Sequence, residues 1–300
     1  MVRYQSSDIS KGTASNVREG AVASQRVSVA DDIRSGHRHE LSLEGFIEMT
    51  DQADHNRFEN IVFDDFRRMA LDESLSPYER IGFPDSYRQG KEQAIFEDVR
   101  AKLHGLDQRG KIVLDIGPGC SELPLKLIDL CEEMDHTLIL VDSAEMLSRL
   151  PDKRFIKKVA AYYPVCEELF KAYSGKIDVI LTYSVMHYVF AESNVWDFLD
   201  QSLALLAQGG AMLIGDIPNV SKRKRFFSSP RGIAFHQQYT GTQERPEVTF
   251  NNIERSKIDD AVILSLMMRA RQQGFSAYVL PQSDDLPMAN RREDILIIKP

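Results

Sequence analysis

The chain has 300 residues, of which 43% are hydrophobic and 27% charged, and its formal net charge is −8 at pH 7. A chain of this size can form one large or two modest domains. Its acidic balance disfavours a nucleic-acid partner, which needs a basic face, and no apolar run has transmembrane length. The cysteines Cys120, Cys131 and Cys166 form no CxxC pair, so we expect neither disulfides nor a zinc site, and a cytoplasmic location.

Two segments precede the first predicted strand. Residues 1–39 are polar and lack the apolar core of a secretion signal. We expect a flexible arm or an oligomerisation strap there, which leaves a homo-oligomer open. Residues 40–107 contain apolar residues at helical spacing, which predicts a helical cover over the later domain. Tyr87 and Arg88 are expected to reach a binding site from this cover.

A glycine-bearing turn in residues 112–124, IVLDIGPGCSELP, is the most informative motif. The apolar run 112–114 predicts a buried strand that ends at Asp115. Gly117 and Gly119 then allow backbone to approach a ligand closely, and the following helix directs free N–H groups to the same place. Glu122 replaces the third glycine of a dinucleotide fingerprint, and no Walker A loop is present. A purely structural turn is the alternative.

A second acidic residue follows the next predicted strand, residues 137–141, TLILV. Asp142 lies near the distance expected for a carboxylate that binds ribose hydroxyls in a βαβ unit. Such hydrogen bonds would be charge-assisted. The alternative is that Asp142 caps the helix starting near Ser143.

Further predicted strands follow in an order typical of a doubly wound α/β domain. A Gly209-Gly210 turn is expected before the fifth strand, and a helix over 258–273 before the last two. The predicted strands are residues 154–159, 176–183, 211–214, 276–280 and 294–299. The third is followed by Ala160, Ala161, Tyr162 and Tyr163.

Taken together, the turn, Asp142, the segment SVMHYV at 184–189 and the GG pair resemble the class I S-adenosylmethionine-dependent methyltransferases. The resemblance covers about residues 110–300. It implies that residues 108–300 form a Rossmann-like, doubly wound sheet of seven mostly parallel strands with an antiparallel last strand. S-adenosylmethionine is the implied cofactor. In the resembling family an acidic residue usually follows the third strand, near the adenine; because Tyr162 and Tyr163 follow it here, we expect an aromatic face and backbone N–H groups to hold the adenine. The implied cofactor-binding residues are Asp115, Ile116, Gly117, Pro118, Gly119, Asp142, Ser143, Tyr183 and Ser184.

Candidate catalytic residues follow from the same register. His187 is expected at the pocket mouth, as a general base or an orienting group, with shaping of its own loop as the alternative. Tyr188 is a candidate hydrogen-bonding partner of the substrate, and Asp216 and His236 are secondary candidates. Asp216 has only Asn219 close by, so we expect no metal.

The acceptor is expected to be a small molecule that binds near the long segment 217–257, which predicts a lid. The basic run 221–227 is either a solvated helix face or, with Arg231, a patch for an anionic substrate.

The motifs SVMHYVF and GDIPNVSKRKRFFSS resemble methyltransferases encoded with bacterial surface-glycan genes. They favour O-methylation of a sugar or sugar phosphate in carbohydrate biosynthesis. The alternatives are N-methylation of a metabolite or natural product, and a non-catalytic cofactor-binding or scaffold protein. A nucleic-acid methyltransferase is disfavoured because TYSV replaces the Asn/Asp-Pro-Pro-aromatic motif.

Overall fold

The computed structural model describes residues 61–300. The predicted arm 1–39 and the first part of the predicted cover, residues 40–60, lie outside the described residues. The strands form one seven-stranded sheet in the order β3-β2-β1-β4-β5-β7-β6. They are β1 (Ile112–Ile116), β2 (Thr137–Asp142), β3 (Ile156–Ala160), β4 (Ile177–Tyr183), β5 (Leu206–Pro218), β6 (Ser276–Pro281) and β7 (Arg292–Ile298).

The direction of the strands confirms the predicted fold class. Strands β1 to β5 pair in parallel, and β7 is antiparallel to both β5 and β6. The strand order reverses between β1 and β4, which creates a crevice at the carboxyl ends of these strands. In open α/β sheets, ligands bind at such a switch point.

Helices cover both faces of the sheet. They are α1 (Phe63–Leu71), α2 (Asp85–Arg88), α3 (Glu92–Lys102), α4 (Glu122–Glu133), α5 (Ala144–Ser148), α6 (Glu167–Tyr173), α7 (Met186–Glu192), α8 (Val195–Leu205), α9 (Val220–Ser228), α10 (Pro230–Thr240) and α11 (Asp260–Gln272). Short 3₁₀ turns occur at Glu79–Ile81, His104–Asp107 and Ala289–Arg291. Side chains at the amino ends of α8, α9 and α11 cap these helices: Asn194, Asn219 and Asp259.

The core consists of two apolar layers, one on each face of the sheet. Along β1, Val113 belongs to the layer with α3 and α4, whereas Leu114 belongs to the layer with α8 and α11. Successive strand residues point to opposite faces. Because both faces are covered, the strands are continuous apolar runs rather than alternating ones, as the sequence of β2, TLILVD, illustrates.

Some predicted element boundaries were wrong. Asp115 lies within β1 rather than at its end, because pairing with β2 continues through Ile116. Gly209 and Gly210 form no separate turn; they lie inside β5, where the pairing with β4 shifts register. A Cβ at Gly210 would lie 2.9 Å from the Ile177 carbonyl oxygen, so the close approach of β5 to β4 requires glycine there.

Candidate functional site

A large cavity opens at the switch point. Its volume is about 990 Å³, counting the space at its mouth, which is typical of a small-molecule site. Among its described lining residues, the glycine turn supplies Ile116, Gly117, Pro118 and Gly119, the end of β2 supplies Asp142, and the end of β4 supplies Tyr183 and Ser184. We call it the switch-point cavity. Of the predicted cofactor residues, Asp115 and Ser143 do not line it.

The glycine turn is held in one conformation by its neighbours. Gly117 and Gly119 have φ values of +71° and +66°, where side chains are strained. A Cβ at Gly119 would lie 2.6 Å from Cγ2 of Ile81. The Gly119 N–H donates to Oδ2 of Asp142 at 3.0 Å. Asp142 therefore fixes the turn while its side chain faces the cavity.

The environment of Asp142 separates its two predicted roles. The helix α5 is capped by Ser143, whose hydroxyl accepts the Met146 N–H at 3.1 Å, so Asp142 is not the cap. Its Oδ1 accepts the Ser143 N–H at 2.6 Å. Burial raises the pKa of Asp142 to about 6, against the opposing effect of the N–H donors of Ser143 and Gly119. The carboxylate is therefore charged at neutral pH and keeps lone pairs for further donors.

Asp115 lies beneath the cavity, inside the sheet. It is only 3% exposed. Burial, and secondarily the charge of Asp142, raises its pKa to about 8. Asp115 is therefore a neutral acid at pH 7.

Aromatic side chains form much of the cavity wall. Tyr162, which follows β3, meets Phe63 of α1 edge to face at 4.9 Å between ring centroids. Tyr188 of α7 meets Phe66 in the same way at 5.0 Å. Phe83 also lines the cavity. Such rings favour flat or apolar groups of a ligand.

A buried ionic cluster closes the cavity at the ends of β4 and β5. Arg88, 4% exposed, donates from Nη2 to the Ser184 hydroxyl at 2.5 Å, and that hydroxyl donates to Oδ2 of Asp216. The same Oδ2 accepts from Nη1 of Arg292 at 2.9 Å. Of the two residues predicted to reach a site from the helical cover, Arg88 lines this cavity and Tyr87 does not.

Backbone strain marks this cluster. Ser184 and Asp216 have φ values of +61° and +58°, which non-glycine residues rarely adopt. The register of β5 against β7 shifts between Ile214 and Ile217, and this irregularity turns Asp216 toward the two arginines. Asp216 therefore acts as their buried counter-ion rather than as a base exposed to a substrate.

The predicted catalytic residues do not converge. Tyr188 lines the cavity, but His187, the residue before it on the same helix, does not. Burial, together with the positive charges of Arg292 and Lys257, lowers the pKa of His187 to about 3, and its buried Nδ1 has no hydrogen-bond partner. His187 is therefore a neutral ring within α7. His236 lies in a separate surface depression with Arg223 and Lys224.

The segment 217–257 contains α9 and α10. None of the described residues that line the switch-point cavity comes from it.

Several lining residues had no distinguishing sequence signal. Phe63, Phe66 and Glu192 line the cavity; Phe66 fits the helical spacing of ordinary core packing. Glu192 lies at the end of α7, and burial raises its pKa.

Within residues 61–300, no cluster of three or more His, Cys, Asp or Glu side chains is arranged to hold a metal. No helix in the same range is long and apolar enough to cross a membrane.

Comparisons with known proteins give similarities of fold. No protein-family model and no curated protein matches this sequence. The CurJ carbon methyltransferase is similar at 16% identity and a TM-score of 0.49, over 85% of this chain and 68% of that one. The plantazolicin methyltransferase BpumL, in complex with a substrate analogue and SAH, is similar at 13% identity and a TM-score of 0.49, over 85% and 97%. A SAM-dependent methyltransferase from Aquifex aeolicus has 12% identity and a TM-score of 0.41, over 73% and 100%. Identities and TM-scores of this size indicate similarity of fold and not the ligand, which has to be inferred from the residues that line the cavity.

Proposed function

We propose that the protein is an S-adenosylmethionine-dependent methyltransferase. The observation that carries the proposal is the pairing of the glycine turn with the Asp142 carboxylate at the switch point of the sheet. Their hydrogen bond of 3.0 Å brings close-approaching backbone and a charged acceptor to one cavity. That combination suits a nucleoside with free ribose hydroxyls.

The lining residues fit each part of this cofactor. Asp142 has lone pairs available for the ribose hydroxyls. The apolar wall that includes Ala161 and Tyr162 fits a flat base. Arg88 is a buried cation that faces the cavity, and its planar fork suits a carboxylate such as that of the methionine part. One charged acceptor, one cation and a flat apolar wall thus match the groups of one ligand.

When bound, the cofactor supplies an activated methyl group to a nucleophile in line with its sulfonium bond. The chain mainly has to align that nucleophile and exclude water. The rings of Phe66, Phe83 and Tyr188 perform both tasks at the cavity wall. Burial raises the pKa of the Tyr188 hydroxyl, so it stays protonated and can donate to an acceptor oxygen or nitrogen. Glu192 also lines this wall, and its carboxylate, whose pKa burial raises, can accept the proton that the nucleophile releases.

The aromatic walls of the switch-point cavity indicate which kind of methyl acceptor it can bind. Arg88, the one Lys or Arg among the described lining residues, is assigned to the carboxylate of the cofactor, so the described walls offer no second cation to a sugar phosphate. They favour an acceptor with a flat or apolar body that carries a hydroxyl or amine. N-methylation of a natural product thus fits the cavity as well as O-methylation of a sugar does. O-methylation of a sugar stays a prediction.

The first test is calorimetric titration with S-adenosylmethionine and S-adenosylhomocysteine. Asp142→Ala should weaken binding by ~1.5–3 kcal/mol, the loss of charge-assisted hydrogen bonds. Asp178→Ala is the matched control, because its carboxylate also accepts a backbone N–H, that of Ile112 at 2.9 Å. Asp178 lies at the amino end of β4, remote from the cavity. Its replacement should leave affinity unchanged.

Two results would count against the proposal. Folded wild-type protein that binds neither ligand would remove the cofactor site, and equal losses in the two variants would make the effect merely structural. Transfer of a labelled methyl group to panels of phenols, amines and sugars then separates an enzyme from a non-catalytic binder.

A further inference from the structure

A second cavity lies beside the buried ionic cluster, between α9, α10 and residues 281–291. Its volume is about 1310 Å³, counting the space at its mouth. Four cationic side chains from separate parts of the chain line it: Lys91, Lys222, Arg231 and Arg291. We call it the basic cavity.

The basic run of α9 divides between two environments. Arg223 and Lys224 pair with Glu254, and Arg225 pairs with Asp260. Lys222 lies on another face of the helix and lines the basic cavity. Its Nζ donates to the Arg292 carbonyl oxygen at 2.6 Å. In the part of the chain that the structure describes, no carboxylate forms an ion pair with Lys222.

Arg291 is the second uncompensated cation. Its Nε is buried without a hydrogen-bond partner, and its guanidinium faces the Phe227 ring at 5.8 Å. No ion pair links it to a carboxylate among residues 61–300. Burial lowers the pKa of Arg291. Asp284, a carboxylate in the lining of the basic cavity, pairs with Arg231 at 3.9 Å. A partly buried guanidinium without an ion pair is costly, so an anionic ligand bound at Arg291 would offset that cost.

A buried amide gives independent support. Gln282 is 6% exposed and lines the cavity. Its Nε2 donates to Oδ1 of Asp294 at 3.1 Å, whereas its Oε1 has no partner. Asn290 also has a buried Oδ1 without a partner. Buried polar atoms are nearly always hydrogen-bonded, so a ligand that donates to these two oxygens would be favoured.

We propose that the basic cavity binds a ligand that joins a phosphate or carboxylate group to a flat apolar body. Lys222 and Arg291 would bind the anionic group, and the oxygens of Gln282 and Asn290 would accept from its hydroxyl or N–H groups. Phe235 and Tyr239, whose rings stack at 6.3 Å with an interplanar angle of 4°, form an apolar wall for the body. This site stands independently of methyl transfer, although the two cavities share a wall: Gln282 lies 3.5 Å from the Tyr183 hydroxyl.

The test uses phenyl phosphate as the probe, titrated into full-length protein and followed by calorimetry and by thermal unfolding. Inorganic phosphate and phenol are titrated separately to resolve the contributions of charge and ring. Arg291→Gln and Lys222→Gln should each weaken phenyl phosphate binding about tenfold, as expected for a lost charged hydrogen bond. The matched controls are Arg225→Gln and Lys224→Gln. They remove cations of α9, the helix of Lys222, that already have carboxylate partners, and they should leave affinity unchanged.

Thermal unfolding guards against misfolded variants. Since Arg291 is a partly buried cation without an ion pair among the described residues, Arg291→Gln should unfold at the same temperature as wild type or higher, and phenyl phosphate should raise the unfolding temperature of wild type more. Absence of binding to wild type would overturn the proposal. So would equal affinities in all variants, or equal losses in the controls, which would indicate general attraction to a basic surface. Titration of S-adenosylhomocysteine into the same proteins should give one affinity throughout, so failure of either site is seen separately.

Discussion

Replacing Asp115 by asparagine should make the protein more resistant to alkaline pH. Burial and the charge of Asp142 raise the pKa of Asp115 from its ordinary value of 3.8 to about 8. Between these values the folded protein keeps the proton and the unfolded chain releases it, so stability falls as pH rises. Each pH unit costs about 1.4 kcal/mol. Wild type should therefore lose ~3 kcal/mol through this group between pH 6 and pH 8. An uncharged asparagine of similar shape avoids that loss.

The assay is urea unfolding at half-unit steps from pH 6 to pH 9. The difference in unfolding free energy between Asp115→Asn and wild type isolates this residue, because other titrating groups contribute equally to both. It should grow in favour of the variant up to about pH 8 and then stay constant. Asp178→Asn serves as the control, since it removes a half-buried carboxylate at the other end of the sheet. A difference that stays constant from pH 6 to pH 9 would show that Asp115 is already ionised in the folded protein, and would refute this account.

Three further outcomes follow from the site. Gly119→Ala adds a Cβ 2.6 Å from Ile81 at a φ of +66°; it should destabilise the protein by ~1–3 kcal/mol and weaken S-adenosylhomocysteine binding in calorimetry. Asp216→Asn removes the carboxylate that pairs with Arg292 and one of the two that pair with Arg88, the other being Glu92. It should cost ~3–5 kcal/mol in urea unfolding; an effect below about 1 kcal/mol would mean that the cluster is hydrated. Since the pKa of Asp142 is about 6 and the charged form is the better acceptor, cofactor affinity should fall as pH falls through 6. Asp142→Asn should remove that pH dependence, and a persistent dependence would point to another group.

The sheet was predictable because its signals are local. The strands β1 and β2 are short apolar runs followed by a glycine or an acid, and the turn at Gly117 and Gly119 lies between β1 and α4 as the spacing predicts. The assignment of Asp142 to the cavity follows from the same logic, since parallel strands end at one edge of the sheet. The predicted turn at Gly209 and Gly210 was wrong because a glycine pair is typical of turns but also permits two strands to approach closely.

The catalytic candidates were less predictable, because side-chain direction and distant partners decide them. His187 and Tyr188 are adjacent on α7, and only the docking of that helix determines which of them faces the cavity. Asp216 acquires its role from Arg88 and Arg292, and the latter lies 76 residues away. No pattern within 217–257 indicates that Lys222 faces a cavity while its neighbours pair with carboxylates.

The most direct test of the central claim is a crystal structure of the protein grown with S-adenosylhomocysteine. We expect the ligand in the switch-point cavity, with its ribose hydroxyls within hydrogen-bonding distance of Asp142 and its amino-acid end toward Arg88 and Ser184. A ligand bound elsewhere, or an empty switch-point cavity at saturating S-adenosylhomocysteine, would contradict the proposed cofactor site and with it the proposed activity.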